Sequence, residues 1–175
     1  MPQIKFETDR LIISEISMDD IDAFYDLQSN LNVLKYVCAQ PSSLEDCEKE
    51  IPELQATYLE EKGVLLVWAI HDKVNKEFIG TCAFIRKEGN EIGYRLREKH
   101  WGKGYGSELT EGLIDFVFSE YEINDIWAEA DVLNIASVKI LDRVLINQGK
   151  RWNEKYNCWD YHYLLTREQY EEKRN

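Results

Sequence analysis

The chain has 175 residues, 44% of them hydrophobic, which is ample for one globular core and short for two. A formal charge of -12 argues against a basic nucleic-acid groove and suits attraction of cationic substrates. No apolar run approaches the roughly 20 residues of a membrane span, and the N-terminus lacks a basic-then-apolar leader, so one cytoplasmic domain over residues 1–175, off the membrane, is expected.

In chain order, Arg10 to Ile16 reads as a first strand after a short polar lead. Ser17 with Asp20 caps a helix whose stripe is Ile21, Phe24, Tyr25 and Leu27. After an apolar patch from Leu31 to Val37, Ser42 with Glu45 forms a capping box for a charged helix running to about Glu61, with Pro52 inside it expected to kink or split it. Val64 to His71 and Phe78 to Arg86 form a hairpin across a polar turn. Ile126 to Ala130 is a short strand, Asn134 to Asn147 an amphipathic helix, and Arg151 to Leu165, with alternating aromatics, a closing hairpin; Thr166 and Gln169 cap a last short helix. The fold class is α+β: a central mixed, mostly antiparallel sheet of seven strands flanked by about four helices.

Cys38, Cys47, Cys82 and Cys158 contain no C-x-x-C pair, and His71, His100 and His162 do not cluster with them, so neither a disulfide framework nor a metal site is expected.

The chemistry is concentrated in Glu91 to Phe118. Ile92, Tyr94 and Leu96 alternate with polar residues as a strand, and Leu109, Leu113, Phe116 and Val117 have helical spacing. Between them Gly102, Gly104 and Gly106 let backbone N–H groups converge where the helix's positive end favours an anion, most simply phosphate. The G-x-G-x-G spacing matches neither a P-loop nor a dinucleotide fingerprint, and a plain glycine-rich connection before a helix accounts for it equally well.

Trp101-Gly102-Lys103-Gly104-Tyr105-Gly106, the later Asn134-Ile135-Ala136-Ser137, the opening Thr8-Asp9-Arg10-Leu11-Ile12-Ile13 and Ile92-Gly93-Tyr94 together carry a resemblance. From about Thr8 to Thr166 the chain is similar to GNAT-fold N-acetyltransferases, and more narrowly resembles the branch of ribosomal-protein N-terminal acetyltransferases of the RimJ/RimL type.

The resemblance implies the α/β GNAT fold, acetyl-CoA as cosubstrate, and direct transfer to a primary amine in a ternary complex. It places the pyrophosphate on Gly102, Lys103, Gly104, Gly106 and Ser107, with Arg97 and Trp101 leading into the turn and Asn134 on the pantetheine arm. The tyrosine that protonates the leaving thiolate in many relatives is Leu141 here, and Ser137 is the proton-donor candidate. Glu91 is the candidate base, with Glu129 and Asp131 as alternatives. Two departures are Leu145-Ile146, where most relatives have Gly-Phe, and a polar Asn147 to Lys155. Asn134 with Ser137 also reads as a plain helix cap. A peptide or protein N-terminus is the expected acceptor. A polyamine, aminoglycoside or amino acid is the alternative, as is a non-catalytic acyl-CoA sensor; relatives are often dimers, so a homodimer is expected by analogy.

Overall fold

The computed structural model describes residues 2–37, 39–60 and 63–174; Cys38 and Glu61 lie outside them. In chain order the elements are β1 (Ile4–Glu7), β2 (Leu11–Glu15), α1 (Ile21–Ser29), α2 (Leu31–Leu34), α3 (Leu44–Thr57), β3 (Leu65–Asp72), β4 (Phe78–Ile85), β5 (Glu91–Leu96), α4 (Tyr105–Glu120), β6 (Asp125–Asp131), α5 (Ile135–Val144), β7 (Ile146–Asn153), β8 (Cys158–Thr166) and α6 (Arg167–Glu172). All the strands join one eight-stranded sheet in the order β1-β2-β3-β4-β5-β6-β8-β7.

Helices cover both faces because the central β3 and β4 are apolar on both sides. On one face α4 buries Leu109, Leu113 and Val117 against Ile79, Ile92 and Leu96. On the other, α1 and α3 bury Phe24, Leu27, Ile51 and Leu54 against Ala69 and Phe78. Each such side chain contributes roughly 1.5–3 kcal/mol relative to exposure, so the two clusters fasten the helices to the two faces of the sheet.

Several expectations are corrected. The polar lead contains β1, which raises the sheet from seven strands to eight. Its four residues are an edge with little alternation, and Phe6 is held by stacking on Phe116 at 4.8 Å, a contact local sequence does not reveal. The short α2 adds a helix, stapled by the Asn30 carboxamide accepting from the Asn32 and Val33 amides, and brings the described α-helices to six.

The capping box of α3 is Ser43 with Asp46, one residue beyond the expected Ser42 and Glu45. Pro52 does not split α3, which runs unbroken from Leu44 to Thr57. The missing N–H would have met the Glu48 carbonyl, and both residues are exposed, so water can take its place. The helix after β6 ends at Val144 and not at Asn147, because Leu145 turns extended (φ -117°, ψ 172°) and Ile146 opens β7. The closing hairpin is correspondingly longer than Arg151 to Leu165.

One sheet junction positions the site. β5 and β6 are parallel and meet only at Glu91 and Trp127, with the Trp127 amide donating to the Asn90 carbonyl at 2.9 Å. Beyond that point the two strands part. The Arg97 amide donates to Ile79 on the β4 side, so by the alternation of a ladder Tyr94 directs its backbone N–H and C=O into the parting.

Candidate active site

The parting of β5 and β6 opens a cleft of about 410 Å³. Its two walls differ in chemistry. Tyr94, Thr110, Asn134, Ser137 and Leu141 lie toward α4 and α5; Glu91, Arg95, Glu129 and Asp131 lie toward the α1–α3 face.

Next to the Tyr94 and Thr110 wall stands the glycine turn, joined to it where Gly106 meets the Tyr94 hydroxyl and Thr110. Gly102 (φ 70°) and Gly104 (φ 81°) both take left-handed conformations, and Gly104 is the N-cap of α4 with no side chain to cap it. The first amides of α4 are therefore among those a helix cannot satisfy internally. Lys103 lies in the turn itself, and Arg143 from α5 hydrogen-bonds the Ser107 hydroxyl, so cationic side chains gather there in a chain of net charge -12. A Cβ on Gly102 would meet nothing within 4 Å, which leaves open space above the turn. Donors, charge and space fit a pyrophosphate.

The turn is braced from the far edge of the sheet. Glu108 accepts from the Thr8 hydroxyl at 2.6 Å, the Arg10 amide at 2.7 Å and the Arg10 Nε at 2.6 Å, while Arg10 Nη1 donates to the Lys103 carbonyl at 2.9 Å. The guanidinium also covers the Tyr105 ring at 4.5 Å. Burial raises the Glu108 carboxyl, but the bonds from Thr8 and Arg10 outweigh it and leave it below its usual value. Sequence reasoning used Thr8 and Arg10 only as part of an opening motif and missed Glu108 and Arg143.

Gly106 has a packing role beside the one the resemblance implies. It is buried, and a Cβ on it would come within 3.0 Å of both the Tyr94 hydroxyl and Ile140 Cδ1. Its missing side chain makes room for Tyr94. The Tyr94 hydroxyl is in turn hydrogen-bonded to Ser137 and Thr110, and burial raises its pKa against the opposing pull of those bonds. Thr110 is anchored by donating to the Gly106 carbonyl at 2.7 Å. Tyr94 alternates as a core residue in the sequence, which is why its hydroxyl was not anticipated as part of the site.

Ser137 and Asn134 both line the cleft. The Asn134 carboxamide oxygen accepts from the Ser137 amide at 3.3 Å, so the helix-cap arrangement is present and leaves Nδ2 for other contacts. Leu141, at the position of the usual tyrosine, is packed in the core and lines the same wall. Arg97 and Trp101 are held structurally: Arg97 Nε donates to Asp26 at 2.7 Å and Nη1 to the Phe78 carbonyl at 3.2 Å, and Trp101 Nε1 donates to the Leu96 carbonyl at 2.9 Å. Trp101 nevertheless stays exposed.

Glu91 sits in the cleft beside the junction of β5 and β6. Burial, reinforced by the nearby Glu129 and Glu88 and opposed by Lys155, pushes its pKa up to about 7. Glu129 accepts from or faces His162 Nδ1 at 3.3 Å, and Asp131 Oδ1 accepts from the Leu133 amide at 2.8 Å. Among the described residues Asp131, Cys158 and Asp160 bring a thiol and two carboxylates within 4.8 Å of one another. Cys47 and Cys82 are buried thiols outside any disulfide, and Cys158 Sγ lies 3.6 Å from Asp160 Oδ1.

A model of the acetyltransferase (GNAT) domain matches residues 10–144. The chain is 34% identical to N-acetyltransferase p20 of Bacillus licheniformis over 143 residues, covering 77% of this chain and 78% of the relative. Among solved structures it superposes on RimL, a ribosomal L7/L12 α-N-protein acetyltransferase in complex with coenzyme A, with TM-score 0.81 at 17% identity, covering 95% of this chain and 99% of that one. The spermidine N-acetyltransferase of Vibrio cholerae, in complex with CoA and spermine, matches with TM-score 0.79 at 17% identity over 91% and 97%. The chain belongs to the GNAT acetyltransferase family. Its activity class is acetyl-CoA-dependent N-acetyl transfer. No helix among the described residues is long and apolar enough to cross a membrane.

Proposed function

We propose that this chain acetylates the N-terminal amine of a peptide or protein by direct attack on acetyl-CoA in a ternary complex. The observation that carries the direct mechanism is Glu91, a half-buried carboxylate in the cleft with a pKa of about 7, matched to taking a proton from an ammonium near neutral pH. The peptide acceptor is supported by the fold's likeness to RimL, whose acceptor is a protein N-terminus.

In this reading the amides at the start of α4, with Lys103 and Arg143, hold the cofactor's pyrophosphate, and Asn134 Nδ2 meets the pantetheine arm. Bound acetyl-CoA supplies the activated acyl group. Glu91 takes the amine's proton directly or through water. The amine nitrogen then bonds to the thioester carbon, and the developing oxyanion meets the Tyr94 amide in the parting of β5 and β6. The carbon–sulfur bond breaks as Ser137 donates a proton to the departing thiolate; the Tyr94 hydroxyl reprotonates Ser137, and the second proton, shed by the new amide nitrogen and carried through water, restores Tyr94.

Thiol release from acetyl-CoA, measured with a panel of peptides, polyamines and aminoglycosides, tests this. Transfer to peptide N-termini is expected. Turnover confined to polyamines or aminoglycosides overturns the peptide reading, and cofactor binding without turnover on any amine supports a sensor. Stoichiometric labelling of a cysteine by acetyl-CoA without acceptor would overturn direct transfer.

A further inference from the structure

The acceptor side of the cleft contains one cation that the reaction above does not use. Arg95 pairs with Thr81 across β4 and β5 and projects on the same sheet face as Glu91 and Gly93. It lines the cleft together with Tyr36 and Glu50. Among the described residues its guanidinium has no hydrogen-bond or ion-pair partner; the charge it senses is Glu50, whose two carboxylate oxygens are engaged by Gln28 Nε2 at 3.2 and 3.0 Å. Burial draws its pKa below the usual value, with Glu50 opposing.

A guanidinium removed from water without a partner is costly, and a carboxylate satisfies it with two parallel hydrogen bonds. At the other end of the same face the charge is negative, with Glu91, Glu129 and Asp131. Arg95 is four residues along β5 from Glu91, about 13 Å of strand. The wall is therefore graded, acidic where the amine reacts and, one short peptide's length away, carrying Arg95 beside a Glu50 whose oxygens are already engaged by Gln28.

Resting on the reading that the cleft takes an amine acceptor, we infer that this acceptor also carries a carboxylate, bound by Arg95 while its amine stands at Glu91. For a peptide, an Asp or Glu within the first three residues has the reach, since three extended residues span roughly 10 Å. A diamine puts its second cation against Arg95 and is disfavoured.

The test uses the purified chain with acetyl-CoA and matched acceptors. One pair is a short peptide with Asp as its second residue and the same peptide with Asn there; the other is aminohexanoate and its amide, with diaminohexane added. In at least one pair the carboxylate member is expected to exceed the amide in kcat/KM by about 10- to 100-fold. Arg95→Gln should remove that preference, Arg95→Lys should keep part of it, and both should bind CoA as the parent does. Equal rates within both pairs, a preference that survives Arg95→Gln, or turnover of diaminohexane alone overturns the inference. Peptides and aminohexanoate both acetylated without regard to the carboxylate leave the peptide reading standing and this inference fallen. Preference for aminohexanoate over its amide, with no peptide acetylated, does the reverse.

Discussion

The Tyr94 hydroxyl stands 3.0 Å from where a Cβ on Gly106 would lie, so a glycine on α4 and a tyrosine on β5 share one space beside the cleft. Gly106→Ala therefore forces Tyr94 or Ile140 to shift, and overpacking of this kind costs about 1–3 kcal/mol. The variant is expected to melt lower and to lose turnover through the displaced hydroxyl. Gly104→Ala acts differently: its φ of 81° strains any L side chain, and the turn's amides lose their aim. Its CoA affinity should fall by about tenfold, equivalent to about 1.4 kcal/mol. Calorimetric titration with CoA alongside thermal melts separates the two, and normal CoA binding by Gly104→Ala would remove the pyrophosphate site.

Glu91→Gln should lower kcat/KM by about 10²- to 10⁴-fold. The parent's kcat/KM should rise with pH along a limb centred near 7, as Glu91 deprotonates, and the variant should lack that limb. The stability consequence has the opposite direction. Because the folded-state pKa lies above the ordinary value of 4.5, the fold favours the protonated acid; that stabilisation is complete below pH 4.5 and is lost as pH rises through about 7. Glu91→Gln should thus raise the melting temperature at pH 8 and leave it unchanged at pH 4. An unaltered pH–rate limb in the variant would dismiss Glu91 as the base.

Ser137→Ala should bind CoA nearly as tightly as the parent and turn over more slowly, since the hydroxyl acts on the departing thiolate. Tyr94→Phe keeps the ring and removes the hydroxyl that Ser137 contacts, so it should lower kcat in the same direction. If the two act as one relay, the double variant should be little worse than Ser137→Ala alone. Single-turnover rates give the comparison, and unchanged rates in Ser137→Ala would leave the thiolate without this acid.

Glu108→Ala removes the acceptor shared by Thr8 and Arg10. Stranding the half-buried Thr8 hydroxyl and loosening the turn should destabilise the fold by about 1–3 kcal/mol and weaken CoA binding, although Glu108 itself lies outside the cleft lining. Because the Glu108 carboxyl is held below its ordinary 4.5, the brace is intact above that pH and is lost as pH falls through the lower folded-state value. Urea midpoints at pH 7 and pH 4 should differ more for the parent than for the variant.

Periodicity and turn chemistry alone determined much of this protein. The alternation of Ile92, Tyr94 and Leu96, the spacing of Leu109, Leu113 and Val117, and the glycines between them specified strand, turn and helix, because these depend on neighbours a few residues apart. The same local logic located Ser17 with Asp20 and Thr166 with Gln169 as caps. It failed where two local answers were nearly equal: Ser43 displaced Ser42 as a cap, and Asn147 left the helix for β7 because the sheet edge offered its backbone a partner in Tyr163.

Only the tertiary structure decided what meets across distance. Thr8 and Glu108 are separated by 100 positions, and no pattern along the chain links them. The raised pKa of Glu91 comes from burial and from Glu129 on a strand that touches β5 at one residue pair, and neither is written in the residues beside Glu91. Arg95 and Tyr94 are adjacent in sequence, yet the pleat sends one to each wall of the cleft. The alternation of the strand separates them, but what each face meets, α4 and α5 on one side and α1 and α3 on the other, is decided by the packing of distant elements.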